Sequence, residues 1–219
     1  MNRLVINLQA LRHNLRAIDA MLERHGASWC VVTKALCGHE PTLRALKLMG
    51  VRSVADSRLD NLEVIQQVAP ELEKWYLRLP HLSVIERVVA GSDVSLNSEI
   101  EVIHALAHEA RRQGRVHRIV IMIELGDLRE GILPGNLVPF YRRIFEMPDI
   151  EVVGVGSQLG CLAGAVPNVD QLAQLSLYRE LLELKFHRRL PIISAGSSNF
   201  LGLMAQGRIP RAINHFRIG

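Results

Sequence analysis

A single lysine stands where a buried strand is predicted to end. The apolar run 29–32 (Trp-Cys-Val-Val) predicts a strand, and Thr33 and Lys34 follow it directly, before a Cys-Gly-His turn at 37–39. An ammonium group with apolar neighbours on one side would be poorly hydrated, which disfavours its charged form. Such an amine can attack a carbonyl carbon and form a Schiff base. The same spacing also suits a lysine that extends from a strand end into water, so other segments are needed to distinguish the two.

The elements that would position this lysine alternate along the whole chain. Eight short apolar runs predict strands, at 29–32, 51–55, 75–79, 94–96, 119–125, 151–155, 191–194 and 212–218. Helical spacing predicts helices between them, and Asn7 and Gly26 are the expected ends of a first helix. The strands are apolar throughout, as parallel strands buried on both faces are. With no Gly-x-Gly-x-x-Gly after the first strand, eight such units favour a (β/α)₈ TIM-type barrel over a doubly wound sheet.

Polar residues follow most of the predicted strands. The carboxyl ends of parallel barrel strands open at one mouth, where barrel enzymes carry their active sites. We therefore expect a ring of polar side chains at this mouth, formed by Lys34, Asp56, Arg78, Asn97, Arg129, Gln158, Ser197, Ser198 and Arg217. The small residues at 196–198 would let backbone N–H groups approach a phosphate. A lysine amine beside a phosphate site suits pyridoxal 5'-phosphate (PLP), and equally the sugar phosphate of a Schiff-base aldolase.

Composition excludes several other classes. The formal net charge is +4, but basic and acidic residues are interspersed, and aromatic residues amount to 5%, which is too few for a base-stacking surface. We therefore expect no nucleic-acid partner. Cys30, Cys37 and Cys161 form no Cys-x-x-Cys pair, which argues against a zinc site or a disulfide framework. No apolar run is long enough to cross a membrane, and we expect a cytoplasmic protein.

Several segments resemble the alanine racemase family. Val32-Thr33-Lys34 followed by Gly38-His39 is similar to its cofactor-lysine segment, and 126–131 (Gly-Asp-Leu-Arg-Glu-Gly) to its strand-five arginine motif. The serine turn at 197–198 and the closing Arg-Ile-Gly at 217–219 correspond to its phosphate loop and pyridine-side arginine. The segments 77–80, 95–99 and 126–131 look closest to the ornithine racemase-like branch. This resemblance covers nearly the whole chain.

The resemblance implies a role for each candidate residue. Lys34 would hold PLP as an internal aldimine and act as one of two racemisation bases. Arg217 would face the pyridine nitrogen, which stays an unprotonated acceptor because arginine only donates hydrogen bonds. Arg129 would lie near the phenolic oxygen and the substrate carboxylate, although a surface ion pair with Glu130 would also explain it. The remaining cofactor contacts would come from Gln158, where the family has a histidine, and from the phosphate-side residues Ser197, Ser198 and Gly219.

Two features of the sequence depart from the pattern of the alanine racemase family. Leu36 and Cys37 stand where alanine racemases place a phosphate-binding tyrosine. The family barrel also continues into a β-rich C-terminal domain that supplies the second base. We therefore expect residues 1–219 to form a PLP-binding barrel domain truncated after the eighth strand, with weak or no activity alone on ornithine or a similar basic amino acid. A non-catalytic PLP carrier, a Schiff-base aldolase and a barrel without a ligand remain alternatives.

Truncation after the eighth strand also has a consequence for packing. Without a following helix, the apolar residues of the last strand would lack part of their outer cover. Self-association into a homodimer, or the first helix lying across them, would hide these residues, which are Ala212, Ile213, Phe216 and Ile218.

Overall fold

The computed structural model describes residues 5–160 and 166–219. Eight parallel strands each pair with the next, and the last pairs with the first, so the sheet closes into a barrel. The strands are β1 (Ser28–Val32), β2 (Ser53–Asp56), β3 (Glu73–Tyr76), β4 (Val94–Asn97), β5 (His117–Met122), β6 (Ile150–Gly156), β7 (Ile192–Ser194) and β8 (His215–Ile218). The predicted (β/α)₈ barrel is confirmed.

Helices alternate with the strands and surround the barrel. In the described ranges they are α1 (Leu8–His25), α2 (Glu40–Leu48), α3 (Leu59–Val68), α4 (Ile85–Gly91), α5 (Ile100–Arg112), α6 (Leu137–Ile144), α7 (Val169–Phe186) and α8 (Leu201–Ala205). Most bounds differ from the sequence prediction by one or two residues. Within the described chain, no helix has the length and hydropathy needed to cross a membrane.

Strand β3 lies two to three residues earlier than predicted. The strand begins at Glu73, and Lys74 is buried within it. Its ammonium donates to the carbonyl of Leu72 at 2.8 Å and lies 3.2 Å from the Asp93 carboxylate. A buried charge with these partners is tolerated, so the polar residues belong to the strand.

Helix α1 begins and ends at the residues that its caps predict. The Asn7 side chain accepts hydrogen bonds from the backbone N–H groups of Gln9 and Ala10, both at 3.0 Å, and Gly26 ends the helix with a φ of 79°. We expect Asn7→Ala to lower the free energy of unfolding by about 1 kcal/mol, because two N–H groups lose their acceptor. Urea denaturation measures this change, and an Asn7→Asp variant, which keeps the acceptor, should stay near the wild type.

The apolar strands are explained by two packed layers. A cluster inside the barrel includes Trp75, Leu77, Leu96 and Met122, and a larger cluster lies between the strands and the helices. Side chains alternate between these layers along each strand. Because both layers exclude water, neither face of a strand needs polar residues, and the strands lack a period-two pattern.

The expected exposed patch on the last strand is absent. Ile213, Phe216 and Ile218 are at most 4% exposed. Helix α1 lies beside them, since His25 contacts Phe216 edge-on at 6.4 Å and its Nε2 lies 3.0 Å from the Ile213 carbonyl. Phe200 packs on the same ring. The first helix therefore supplies the cover, which was one of the two alternatives, and the expectation of uncovered apolar residues is wrong.

Candidate active site

A pocket of about 260 Å³ opens at the carboxyl-terminal mouth of the barrel. It brings together all seven residues that the sequence predicted for the site, namely Lys34, Arg129, Gln158, Ser197, Ser198, Arg217 and Gly219. Apolar side chains of the inner layer, including Val32, Leu77 and Leu96, line it as well. The pocket therefore combines a lysine, two arginines and small hydroxyl residues over an apolar wall.

Three residues of the predicted ring do not line this pocket. Asp56 and Asn97 are fully buried, and Arg78 is exposed outside it. In each case the adjacent residue lines the pocket instead: Ser57, Leu96 and Leu77, respectively. Because successive strand side chains point to opposite faces, one residue of each pair faces the mouth and the other does not. The expectation that these three residues ring the mouth is wrong for this reason.

Lys34 begins a short 3₁₀ turn directly after β1. Its side chain is exposed, so the expected desolvation by apolar neighbours is wrong. The preceding residue is anchored, because the Thr33 hydroxyl donates to the Asp56 carboxylate at 2.8 Å. Asp56 also accepts from the Asn61 amide at 3.1 Å and the Arg58 backbone N–H at 3.0 Å. Asp56 thus positions the Lys34 turn by joining the ends of β1 and β2.

Arg217 is held by four acceptors in the pocket wall. It is 3% exposed, and Nη1 donates to the carbonyl and hydroxyl of Ser194. Nη2 donates to the Ser157 carbonyl at 2.9 Å and to the Gln158 side-chain oxygen at 3.0 Å. Burial lowers the pKa of Arg217 from its usual range. Its guanidinium is nevertheless a cation, because arginine is not deprotonated in proteins. Among the described residues, none accepts a hydrogen bond from Nε, so this donor is available to a ligand.

A chain of contacts below Arg217 was missed by the sequence analysis. The Ser194 hydroxyl lies 2.8 Å from His215 Nδ1, and the His215 ring stacks on Trp75 with centroids 4.3 Å apart. Burial lowers the pKa of His215 to about 3, so its ring is neutral. The Ser194 hydroxyl accepts from Arg217 and is hydrogen-bonded to Nδ1, so it links the guanidinium to the ring. The spacing of His215 and Arg217, two residues apart on one strand, could have indicated a shared face.

The residues predicted to lie on the phosphate side form a small cradle. The Ser197 hydroxyl is buried and makes no hydrogen bond within the described chain. The Ser198 hydroxyl lies 2.8 Å from the Gly219 carbonyl, to which it donates. A Cβ added at Gly219 would lie 2.7 Å from both the Val32 carbonyl oxygen and its Cβ, so a larger residue does not fit. The unsatisfied hydroxyl and the lack of side-chain bulk both suit an anionic oxygen ligand.

The loop after β5 carries Arg129 and Glu130 into the pocket. Gly131 makes this loop possible. Its φ is 130°, and an added Cβ would lie only 2.4 Å from the Glu124 backbone nitrogen, which is too close for any side chain. Arg129 Nε lies 3.9 Å from the Glu130 carboxylate, beyond hydrogen-bond distance, and the Glu130 side chain is only 7% exposed. At this distance Arg129 and Glu130 form the ion pair considered from the sequence, although the Glu130 side chain lies in the pocket wall rather than at the surface. Burial raises the pKa of Glu130, an effect that Arg129, Arg217 and Lys34 oppose.

The two cysteines in the described ranges, Cys30 and Cys37, do not form a second chemical site. Cys30 lies inside the barrel, where burial raises the pKa of its thiol to about 12, and Cys37 is a free thiol in the loop after Lys34. Cys161 lies outside the described residues. In the described ranges, no cluster of three or more His, Cys, Asp or Glu side chains could hold a metal ion.

The barrel and its lysine-arginine pocket define a protein with a ligand site at the strand ends, and comparison identifies the family. The alanine racemase N-terminal domain model matches residues 6–219, so the chain belongs to this family. The chain is 33% identical to the ornithine racemase of Acetoanaerobium sticklandii over 218 residues, which are 99% of this chain and 61% of the relative. The lysine racemase of Thermotoga maritima is 30% identical over 217 residues, or 99% and 60%.

Solved structures agree with this fold. PipY of Synechococcus elongatus with PLP bound superposes with a TM-score of 0.79 at 16% identity, covering 95% of this chain and 97% of PipY. Alanine racemase of Clostridium difficile in complex with cycloserine gives 0.82 at 18% identity, covering 98% of this chain and 59% of the racemase. The chain spans about 60% of the length of the two curated relatives.

Proposed function

We propose that residues 1–219 form the PLP-binding barrel domain of an amino-acid racemase that acts on ornithine or a similar basic amino acid. The observation that carries this proposal is the single pocket that combines Lys34, Arg129, Arg217 and the serine cradle at the barrel mouth. The two racemases at 33% and 30% identity support the reaction class and the substrate class. The resemblance of these segments to the alanine racemase family supplies the role expected of each site residue.

The pocket residues fit PLP by their chemistry. The unsatisfied hydroxyl of Ser197, together with Ser198 and Gly219, would hold the phosphate. Arg217 offers its free Nε–H to the pyridine nitrogen, and Gln158 keeps the guanidinium in place through its 3.0 Å hydrogen bond. Arginine cannot supply an acceptor, so this nitrogen would stay unprotonated.

Bound PLP would act as an electron sink that makes the Cα–H of an amino acid more acidic. The Lys34 amine would attach the cofactor and then remove or return the Cα proton on one face. Arg129 would hold the substrate carboxylate and so orient Cα toward that amine. The anchored turn at Thr33 limits the positions that the Lys34 backbone can adopt. A homodimer remains part of this proposal, with light scattering of the purified chain as its measurement.

Reduction with borohydride tests the attachment site. We expect treatment of the PLP-loaded protein to fix the cofactor on Lys34, because its amine lies in the pocket with the phosphate cradle. Peptide mapping by mass spectrometry identifies the labelled residue, and Lys34→Ala should leave the protein folded and unlabelled. Stoichiometric labelling of any of the other three lysines, Lys47, Lys74 or Lys185, would contradict the proposal.

A non-catalytic PLP-binding barrel is the second candidate. PipY, solved with PLP bound, is covered by this chain over 97% of its length at 16% identity, so a barrel of this fold can hold PLP. Circular dichroism of L-ornithine incubated with the PLP-loaded protein distinguishes the two. Progressive loss of the ornithine signal, absent in Lys34→Ala, indicates racemisation, whereas a constant signal with labelled Lys34 shows that residues 1–219 bind PLP without racemising ornithine, as a carrier would.

A further inference from the structure

Glu130 is a buried carboxylate without a hydrogen-bond donor. Its side chain is 7% exposed and lines the pocket, yet it accepts no hydrogen bond within the described chain. Its closest cation, Arg129 Nε, lies at 3.9 Å. A carboxylate that loses water without gaining a donor is costly, and the raised pKa of Glu130 reflects this burial. A hydrogen-bond donor on a ligand would stabilise the charged form of such a group.

The charge distribution of the pocket indicates which donor would fit. Lys34, Arg129 and Arg217 supply three cationic side chains, and Glu130 is the one carboxylate among the described lining residues. The four Nη hydrogen bonds of Arg217 already go to Ser194, Ser157 and Gln158, so its terminal nitrogens are not available to Glu130. The cations match the phosphate and carboxylate of cofactor and substrate. The unsatisfied carboxylate matches a ligand cation.

We propose that Glu130 binds the side-chain ammonium of a diamino-acid substrate and thereby determines the preference for basic amino acids. This inference rests on the proposed function, because it assigns a residue to the substrate of the same pocket. An ammonium at hydrogen-bond distance would satisfy the buried carboxylate and compensate its charge. A substrate without that ammonium would leave the Glu130 carboxylate without a hydrogen-bond donor, which is the physical basis for discrimination against apolar amino acids.

The competing explanation is that Glu130 is only a counterion that orients Arg129. That role would affect every amino-acid substrate equally, because each one carries the same α-carboxylate. A binding role would affect only substrates with a side-chain ammonium. L-Norvaline has the carbon chain of L-ornithine without the terminal amine, so comparison of these two ligands separates the explanations.

The experiment is equilibrium titration of PLP-loaded protein with L-ornithine and L-norvaline by calorimetry. We expect wild type to favour ornithine, and Glu130→Gln to weaken ornithine binding roughly tenfold or more while norvaline binding changes less than twofold. Glu130→Asp should restore part of the preference. Glu180→Gln, at an exposed position on α7, makes the same charge change outside the pocket and should behave as wild type.

Equal weakening of both ligands by Glu130→Gln would overturn the inference in favour of the counterion role. Wild type that binds norvaline as tightly as ornithine, or binds neither, would overturn it as well. Cofactor attachment is measured in the same preparations by borohydride labelling. If Lys34 is labelled in every variant but ornithine is not preferred, the substrate inference alone fails. If Lys34 is not labelled in wild type, the proposed function fails.

Discussion

Between pH 7.5 and pH 5, two buried histidines are expected to lower the free energy of unfolding by about 4 kcal/mol in total. Burial lowers the pKa of His215 to about 3 and that of His117 to about 4, from an ordinary value of 6.5. Below pH 6.5 the unfolded chain binds protons at both sites and the folded chain does not, so acid favours unfolding. At pH 5 each site contributes about 2 kcal/mol, and the loss continues until the folded pKa is reached.

The neighbours of the two rings explain why they stay neutral. Arg217 faces His215, while Arg115 and Arg118 outweigh Asp93 near His117, so nearby charges reinforce the effect of burial. Urea denaturation at pH 7.5 and pH 5 measures the pH dependence. His117→Asn and His215→Asn should each remove about half of this pH dependence, independently of any change that they cause in the free energy of unfolding at pH 7.5. His13→Asn, at an exposed position on α1, should keep the full dependence. If the variant with both histidines replaced showed the same dependence of the free energy of unfolding on pH as wild type, the prediction would be contradicted.

Arg217→Lys is expected to lower the free energy of unfolding by about 3–5 kcal/mol at pH 7.5. The variant keeps the buried positive charge, so the cost of burial stays, but an ammonium cannot reach the four acceptors that the planar guanidinium reaches. Hydrogen bonds from charged donors contribute about 1.5–3 kcal/mol each, and at least two would be lost. The carbonyl of Ser157 would then be buried without a donor. Urea denaturation provides the measurement.

Arg208→Lys is the matched control for this prediction. Arg208 is exposed and makes a single long contact of 3.4 Å with Gln206, so the same substitution should change stability by less than about 0.5 kcal/mol. If Arg217→Lys also stayed within this range, the network around Arg217 would contribute little to the barrel. Borohydride labelling of Lys34 in Arg217→Lys shows whether the cofactor site survives the loss of the network.

Much of the candidate site was predictable because it depends on position along the chain. Lys34, Gln158, Ser197 and Arg217 each follow or end a predicted strand, and parallel strands bring such positions to one mouth. What each side chain does there was less predictable. Lys34 was expected to be desolvated and is exposed, whereas Glu130 was considered only as a surface partner and is buried in the pocket. Burial depends on neighbours that are distant in sequence.

The sequence by itself determined the order and type of the elements. Caps such as Asn7 and Gly26, and apolar runs with helical segments between them, act within a few residues, so they are visible without the fold. Tertiary structure decided which way each strand-end side chain points. Asp56 turns toward Thr33, and His215 comes to lie under Ser194 and Arg217, because barrel closure sets the register between strands. That register brings together residues far apart in the chain, and no local pattern encodes it.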